Sequence, residues 1–353
     1  MVAAVVTQGD ARSLLLPDES VDLIVTSPPY FALRSYTDGG EHYSGQIGSE
    51  ATPAEFVAAL VECTREWMRV LKPTGSLWLN LGDKYSTGSS GQSGMAKLGE
   101  QYRGGGHSEA KAKRGSARVP GMQPKSLIGL PWRYALACID ELGLILRAEV
   151  IWNKPNGLPE PVADRVRRSH EQWFHFVQQP RYFSAVDEIR EPHAPAGLAR
   201  RAYRFEVNDS QRAGKNPVLN GAGERPANPL GKLPGSVWEI ATQPLIVPKE
   251  LGIDHFAAFP MEWPRRIILG WSPLDGCVLD PFGGTGTTAL VASVLGRRGI
   301  SVDMSADYCR LAQWRTADPK QIERAKRGAK VKPPKLEPQP QTADEWLAYF
   351  GRG

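Results

Sequence analysis

The chain has 353 residues, 41% of them hydrophobic, and a net charge of +5, which suits a full globular core plus a smaller lobe and permits a polyanionic partner. No run approaches the ~18 apolar residues of a membrane span, and Met1 to Val6 passes into Gln8, Gly9 and Asp10 without a basic flank, so a cytoplasmic protein is expected. Cys63, Cys138, Cys277 and Cys309 stand far apart in apolar or helical contexts, with no pair at metal-ligand spacing.

In chain order, Met1 to Val6 reads as a first strand and Val21-Asp22-Leu23-Ile24-Val25 as a buried one. The latter runs into Thr26-Ser27-Pro28-Pro29-Tyr30, where two prolines fix φ and remove two N–H donors. Such a loop accepts hydrogen bonds, and Tyr30 adds an aromatic face suited to a planar base with an amino group. Phe31 to Gly48 reads as a loop able to close over a site. Thr52-Pro53-Ala54-Glu55 is a capping box, followed by one buried helical face of Phe56, Leu60, Trp67, Met68 and Leu71. Lys72 to Gly75 ends that helix. Ser76 to Leu81 is the next strand, which makes Trp78 a packing residue.

From residue 85 to 121 the pattern is Gly, Ser, Lys and Arg, a basic surface insertion. Between Lys97 and Arg133 eight basic residues face two acidic ones, and Arg114 and Arg118 are candidate contacts to a phosphate backbone. A helix over Pro131 to Gly143 and a strand over Leu144 to Trp152 follow. His170, after Arg168-Ser169, lacks a convergent ligand set and reads as a structural hydrogen-bonding residue. Residues 184–235 lose periodicity and carry Arg200, Arg201, Arg204, Arg212 and Lys215. A helix from about Met261 to Gly270 comes next.

Val278 to Ala292 is a strand, a glycine-rich turn and a helix, which places a small, partly anionic ligand at a strand's carboxyl end. Gly284-x-Gly286-x-x-Ala289, with Asp303 ending the next strand, also fits a dinucleotide fingerprint, so an NAD-dependent dehydrogenase stands as an alternative. Helix Ala306 to Thr316 follows. Residues 319–353 form a basic, then proline-rich tail expected to be partly disordered.

The pair Ser27-Pro28-Pro29-Tyr30 and Asp280-Pro281-Phe282-Gly283-Gly284-Thr285-Gly286-Thr287 resembles the amino-group DNA methyltransferases. With the acceptor loop first and the glycine loop last, the chain is similar to the circularly permuted β group. Segment 142–156, Arg168-Ser169-His170-Glu171 and His255-Phe256-Ala257-Ala258-Phe259-Pro260 share the likeness. No cysteine follows a proline as in the carbon-5 cytosine enzymes, which points to transfer onto an amino group.

The resemblance implies an α/β fold with a doubly wound, mostly parallel, Rossmann-like sheet. Its catalytic domain would span 1–183 and 236–318, with 184–235 as the irregular target-recognition segment. It implies S-adenosyl-L-methionine as cofactor and a flipped base in double-stranded DNA as substrate, with N4 of cytosine favoured by the Ser-Pro-Pro-Tyr form and N6 of adenine as alternative. Ser27, Pro28, Pro29 and Tyr30 would be catalytic. Asp10, Phe259, Pro260, Asp280, Pro281, Phe282, Gly283, Gly284, Thr285, Gly286, Thr287 and Asp303 would hold the cofactor. A companion restriction endonuclease, a bacterial or phage-infected cytoplasm, and a monomer or weak homodimer complete the expectation.

Overall fold

A computed structural model describes residues 4–32, 37–38, 41–42, 45–86, 119, 122–157, 159–160, 162–194, 228–253 and 258–329. In chain order the elements are β1 Val5–Gln8, β2 Val21–Thr26, the short antiparallel pair β3 Thr37–Asp38 and β4 Glu41–His42, α1 Pro53–Val70 and β5 Leu71–Leu81. Then come α2 Leu130–Leu142, β6 Ile145–Asn153, β7 His170–Val177, β8 Val237–Glu239 and α3 Glu262–Trp271. The chain continues through β9 Cys277–Asp280, α4 Thr287–Val294, β10 Arg298–Asp303, α5 Ala306–Ala317 and α6 Pro319–Ala329.

Eight strands form one sheet in the order β1-β10-β9-β2-β5-β7-β6-β8. The run from β1 to β5 is parallel, β7 is antiparallel to both its neighbours, and β8 lies parallel to β6. The strands from the two ends of the chain meet at the centre, Leu23 opposite Val278 and Ile24 opposite Leu279. From that seam the chain winds outward in both directions, to β5 through α1 and to β10 through α4. The order therefore reverses between β2 and β9, and a crevice opens where the two following loops diverge.

The period-two pattern of the central strands divides the core. Leu77, Leu79 and Leu81 pack with Phe56, Leu60 and Trp67 of α1 and Tyr134 of α2 in one hydrophobic cluster. Trp78, pointing the other way, is 1% exposed and lies 4.5 Å from both the His175 and Trp271 rings. The α1 start is the expected capping box: Thr52 Oγ1 accepts from Glu55 N, and Glu55 accepts from Thr52 N. Helix α1 ends at Val70, and the pairing of β5 with β2 slips between Leu71 and Ser76. A Cβ on Gly75 would lie 2.9 Å from Asp22 O, so this bulge requires glycine.

The start of the tail departs from the expected disorder. Pro319–Ala329 is helix α6, with Ala325 buried and its carbonyl accepting from Arg265 Nη2 at 2.9 Å. Two inward positions, Ile322 and Ala325, suffice because the surrounding Lys, Arg and Glu residues are good helix formers. Val186–Gly235 belong to a separate compact unit, in which Glu191 and Lys232 exchange backbone hydrogen bonds. Among the described residues no helix is long and apolar enough to cross a membrane.

Candidate active site

The crevice is open to solvent. It is walled by the residues that follow four parallel strands: Asp10 after β1, Ser27 and Pro29 after β2, Pro281 to Thr285 after β9, and Asp303 at the end of β10. Phe259 closes one side, and Thr287 and Tyr308 lie at the starts of α4 and α5. The two loops singled out in the sequence thus face one space. Of the residues expected to act together, Pro28, Tyr30, Pro260, Asp280 and Gly286 are not on this wall.

Asp280 explains itself by its bonds. Only 1% exposed, it accepts from Thr26 Oγ1 and Thr288 Oγ1, each at 2.8 Å, and from Phe282 N at 3.2 Å. Burial pushes its carboxyl up to about 7 against the pull of these donors. Asp280 braces the floor beneath the glycine loop. Gly286, at φ +72°, caps α4, and a Cβ there would meet the Ala312 Cβ at 3.0 Å. Gly283 is equally constrained, because its Cβ would fall 1.9 Å from Ser301 Oγ.

Asp303 accepts from Gly284 N and Ser305 N, each at 2.9 Å, so the loop is hooked to the strand beside it. Asp10 is held bidentately by Arg12, at 2.7 Å for the shortest contact, and that guanidinium keeps its carboxyl below the usual range.

Beside the acceptor loop stands a polar network that the sequence did not announce. Asn80, buried near the end of β5, offers Oδ1 to Ser27 Oγ at 3.2 Å and to the Tyr30 hydroxyl at 2.8 Å. Its Nδ2 donates to Gln172 O at 3.0 Å, which fixes the amide orientation. The Tyr30 hydroxyl also lies 2.8 Å from Glu171 Oε2, and Glu171 is paired with Lys154. A phenol has one proton, so it serves one of these acceptors at a time. The signal for Asn80 was present in Leu77-Trp78-Leu79-Asn80-Leu81, a polar residue within a buried apolar strand.

His170 opens β7 but its ring makes no hydrogen bond to the described residues, so the structural role expected of it falls to Glu171. Three residues after Asn80, Asp83 accepts from Gly129 N and Leu130 N at 2.9 to 3.0 Å, capping α2 from 46 positions away. Arg114, Arg118, Arg200, Arg201, Arg204, Arg212 and Lys215 lie outside the described residues.

The family model for DNA methylase, covering N6 and N4 enzymes, matches residues 21–314. The Type II methyltransferase M.SmaI of Serratia marcescens is 35% identical over 312 residues, which is 87% of this chain and 88% of that protein. Among solved structures, the PvuII DNA methyltransferase (cytosine-N4-specific) superposes with a TM-score of 0.59 at 20% identity, over 93% of this chain and 92% of its own. A DNA modification methylase of Thermus thermophilus, solved with S-adenosyl-L-methionine, gives a TM-score of 0.50 at 23% identity, over 90% and 96%. The dehydrogenase alternative falls with these matches. An acceptor loop and a glycine loop facing one crevice, on a sheet wound both ways from their seam, are the architecture of a methyl-transferring enzyme, and the chain belongs to the N6/N4 DNA methylase family.

Proposed function

We propose that this DNA methyltransferase uses S-adenosyl-L-methionine to methylate N4 of cytosine in double-stranded DNA at a specific sequence. The crevice fits that cofactor. Asp303 offers a carboxylate to the ribose hydroxyls, Phe282 and Tyr308 offer aromatic faces to a purine, and Thr285 and Thr287 offer hydroxyls to an anionic end. When bound, the cofactor supplies a methyl group already activated by its positive sulfur.

The chain's task is then to prepare the acceptor. An exocyclic amino nitrogen is a poor nucleophile because its lone pair is delocalised into the ring. Ser27 directs its proton at Asn80, so its oxygen is left as an acceptor for an amino hydrogen, and the Pro28 carbonyl serves the second. Those two bonds localise the nitrogen lone pair and aim it across the crevice. Nitrogen–carbon bond formation accompanies sulfur–carbon cleavage, and the amino group releases one proton to solvent. This is catalysis by position and electrostatics.

Flipping the base costs a few kcal/mol, and stacking on Tyr30 returns about 1 to 3 kcal/mol. The observation that carries the reading is Ser27 and Gly284 on one wall, brought there by neighbouring strands. Cytosine is preferred to adenine because the loop begins with Ser27. Residues 184–235 are assigned to target recognition, with the basic insertion at 85–121 on the phosphate backbone. The Type II names of the relatives support a companion endonuclease in the same bacterial or phage-infected cytoplasm. Modification-sensitive sequencing of genomic DNA, with and without the expressed protein, tests base and site together: N6-methyladenine alone would replace cytosine, and no new mark would remove the reading.

A further inference from the structure

Arg315 of α5 is 3% exposed, and no carboxylate among the described residues pairs with it. Arg265, buried to a similar degree, has Glu262 at 2.6 Å. The Nη1 of Arg315 instead donates to Thr285 Oγ1 at 2.5 Å and Thr287 Oγ1 at 2.7 Å, while its Nε has no partner. An uncompensated buried cation is costly and is retained where an anion arrives from elsewhere. Burial first, and the like charge of Arg324 second, pull this guanidinium down to about 10.

The two threonines are both crevice wall and Arg315 acceptors. Their hydroxyls lie 3.1 Å apart, so one donates to the other. Two hydroxyl protons minus one spent between them leaves one, and Arg315 already fills acceptor positions on both oxygens. That remaining proton is available to a ligand in the crevice that both threonines line, polarised by the cation behind it.

We propose that Arg315 is a positioning residue that supplies the counter-charge for the carboxylate of the cofactor's amino-acid end, acting through Thr285 and Thr287. This rests on the cofactor reading above. It requires that binding of the carboxylate-bearing half of the ligand, and not of the nucleoside half, depends on Arg315.

Calorimetric titration with S-adenosylhomocysteine and with 5′-methylthioadenosine, which lacks the amino-acid end, separates the two halves. In Arg315→Met, affinity for S-adenosylhomocysteine falls about 10- to 100-fold, the worth of one charge-assisted hydrogen bond. Affinity for methylthioadenosine stays within about twofold, Arg315→Lys recovers part of the loss, and the ligand-free melting temperature does not drop, because an apolar side chain replaces an unpaired charge. The double variant Thr285→Val/Thr287→Val, which keeps the arginine, shows the same selective loss. Equal losses on both compounds, or a lower ligand-free melting temperature with unaltered discrimination, would make Arg315 a loop staple and overturn the proposal. Wild-type protein that binds neither compound would instead overturn the cofactor reading.

Discussion

The hydroxyl of Thr26 donates to Oδ1 of Asp280 at 2.8 Å, joining residues 254 positions apart in the chain. Thr26 ends β2 and Asp280 ends β9, so the bond ties the roots of the acceptor loop and the glycine loop together. Thr288 Oγ1 holds the other oxygen of the same carboxylate at 2.8 Å, bringing in the start of α4. One buried acid thus sets the spacing between the two halves of the site.

Thr26→Val keeps the shape and removes the donor. Stability is expected to fall by about 1–3 kcal/mol, the cost of leaving a buried acceptor short of a partner. Urea midpoints measure it. A variant with unchanged stability would show that the carboxylate does not depend on this bond.

Asn80 is the pivot of the acceptor side, touching Ser27 and Tyr30 with one oxygen. Asn80→Leu preserves volume and frees both. A displacement of the acceptors by about 1 Å costs on the order of 100-fold in rate. Turnover is therefore expected to drop by about that factor while S-adenosylhomocysteine binds as before. Loss of ligand affinity with turnover preserved would contradict the assignment.

How much of this was legible in sequence varied with the range of the interaction. The capping box at Thr52 and Glu55, the strand Val21 to Val25 and the strand–turn–helix around Gly284 are local, set by pattern and backbone chemistry, and all formed where expected. The joint role of Asn80 and Glu171 was not legible, because it needs β7 to run antiparallel beside β5, with Asn80 opposite Trp173. Nothing in the sequence sets Arg315 apart from the other arginine of its helix. Its isolation exists only once α5 packs behind the glycine loop. Helix α6 was hidden by composition, since Ile322 and Ala325 set among lysines and arginines resemble a solvated tail.

Gly82 gives a second handle on Tyr30. A Cβ at this position would lie 2.5 Å from Tyr30 Cε2 and 3.0 Å from Cδ2. Gly82→Ala must therefore push the ring aside, and the half-saturating DNA concentration is expected to rise about tenfold, within the range of one lost stack. In the Tyr30→Ala background the same change should add nothing, since its partner in the clash is gone. Additive effects in the double variant would separate Gly82 from the aromatic ring.

Asp280 and His175 give the pH dependence of stability two opposing parts. Burial raises Asp280 from about 3.8 to about 7, so between those values the folded chain holds a proton that the unfolded chain has released, and stability falls as pH rises. Burial first, and the Arg147 charge second, lower His175 from about 6.5 to about 3, leaving its ring neutral beside Ser76 Oγ at 3.0 Å. There the unfolded chain holds the extra proton, and stability rises with pH. Each slope is about 1.4 kcal/mol per pH unit for one proton, and across pH 4.5 to 6 they oppose. Asp280→Asn should leave a urea midpoint that climbs with pH relative to wild type, and His175→Gln one that descends. Because the side chains belong to separate hydrogen-bonded clusters, the double variant should return to the wild-type slope. A flat difference curve for either single variant would mean that its group titrates at the ordinary value, and the opposition would be lost.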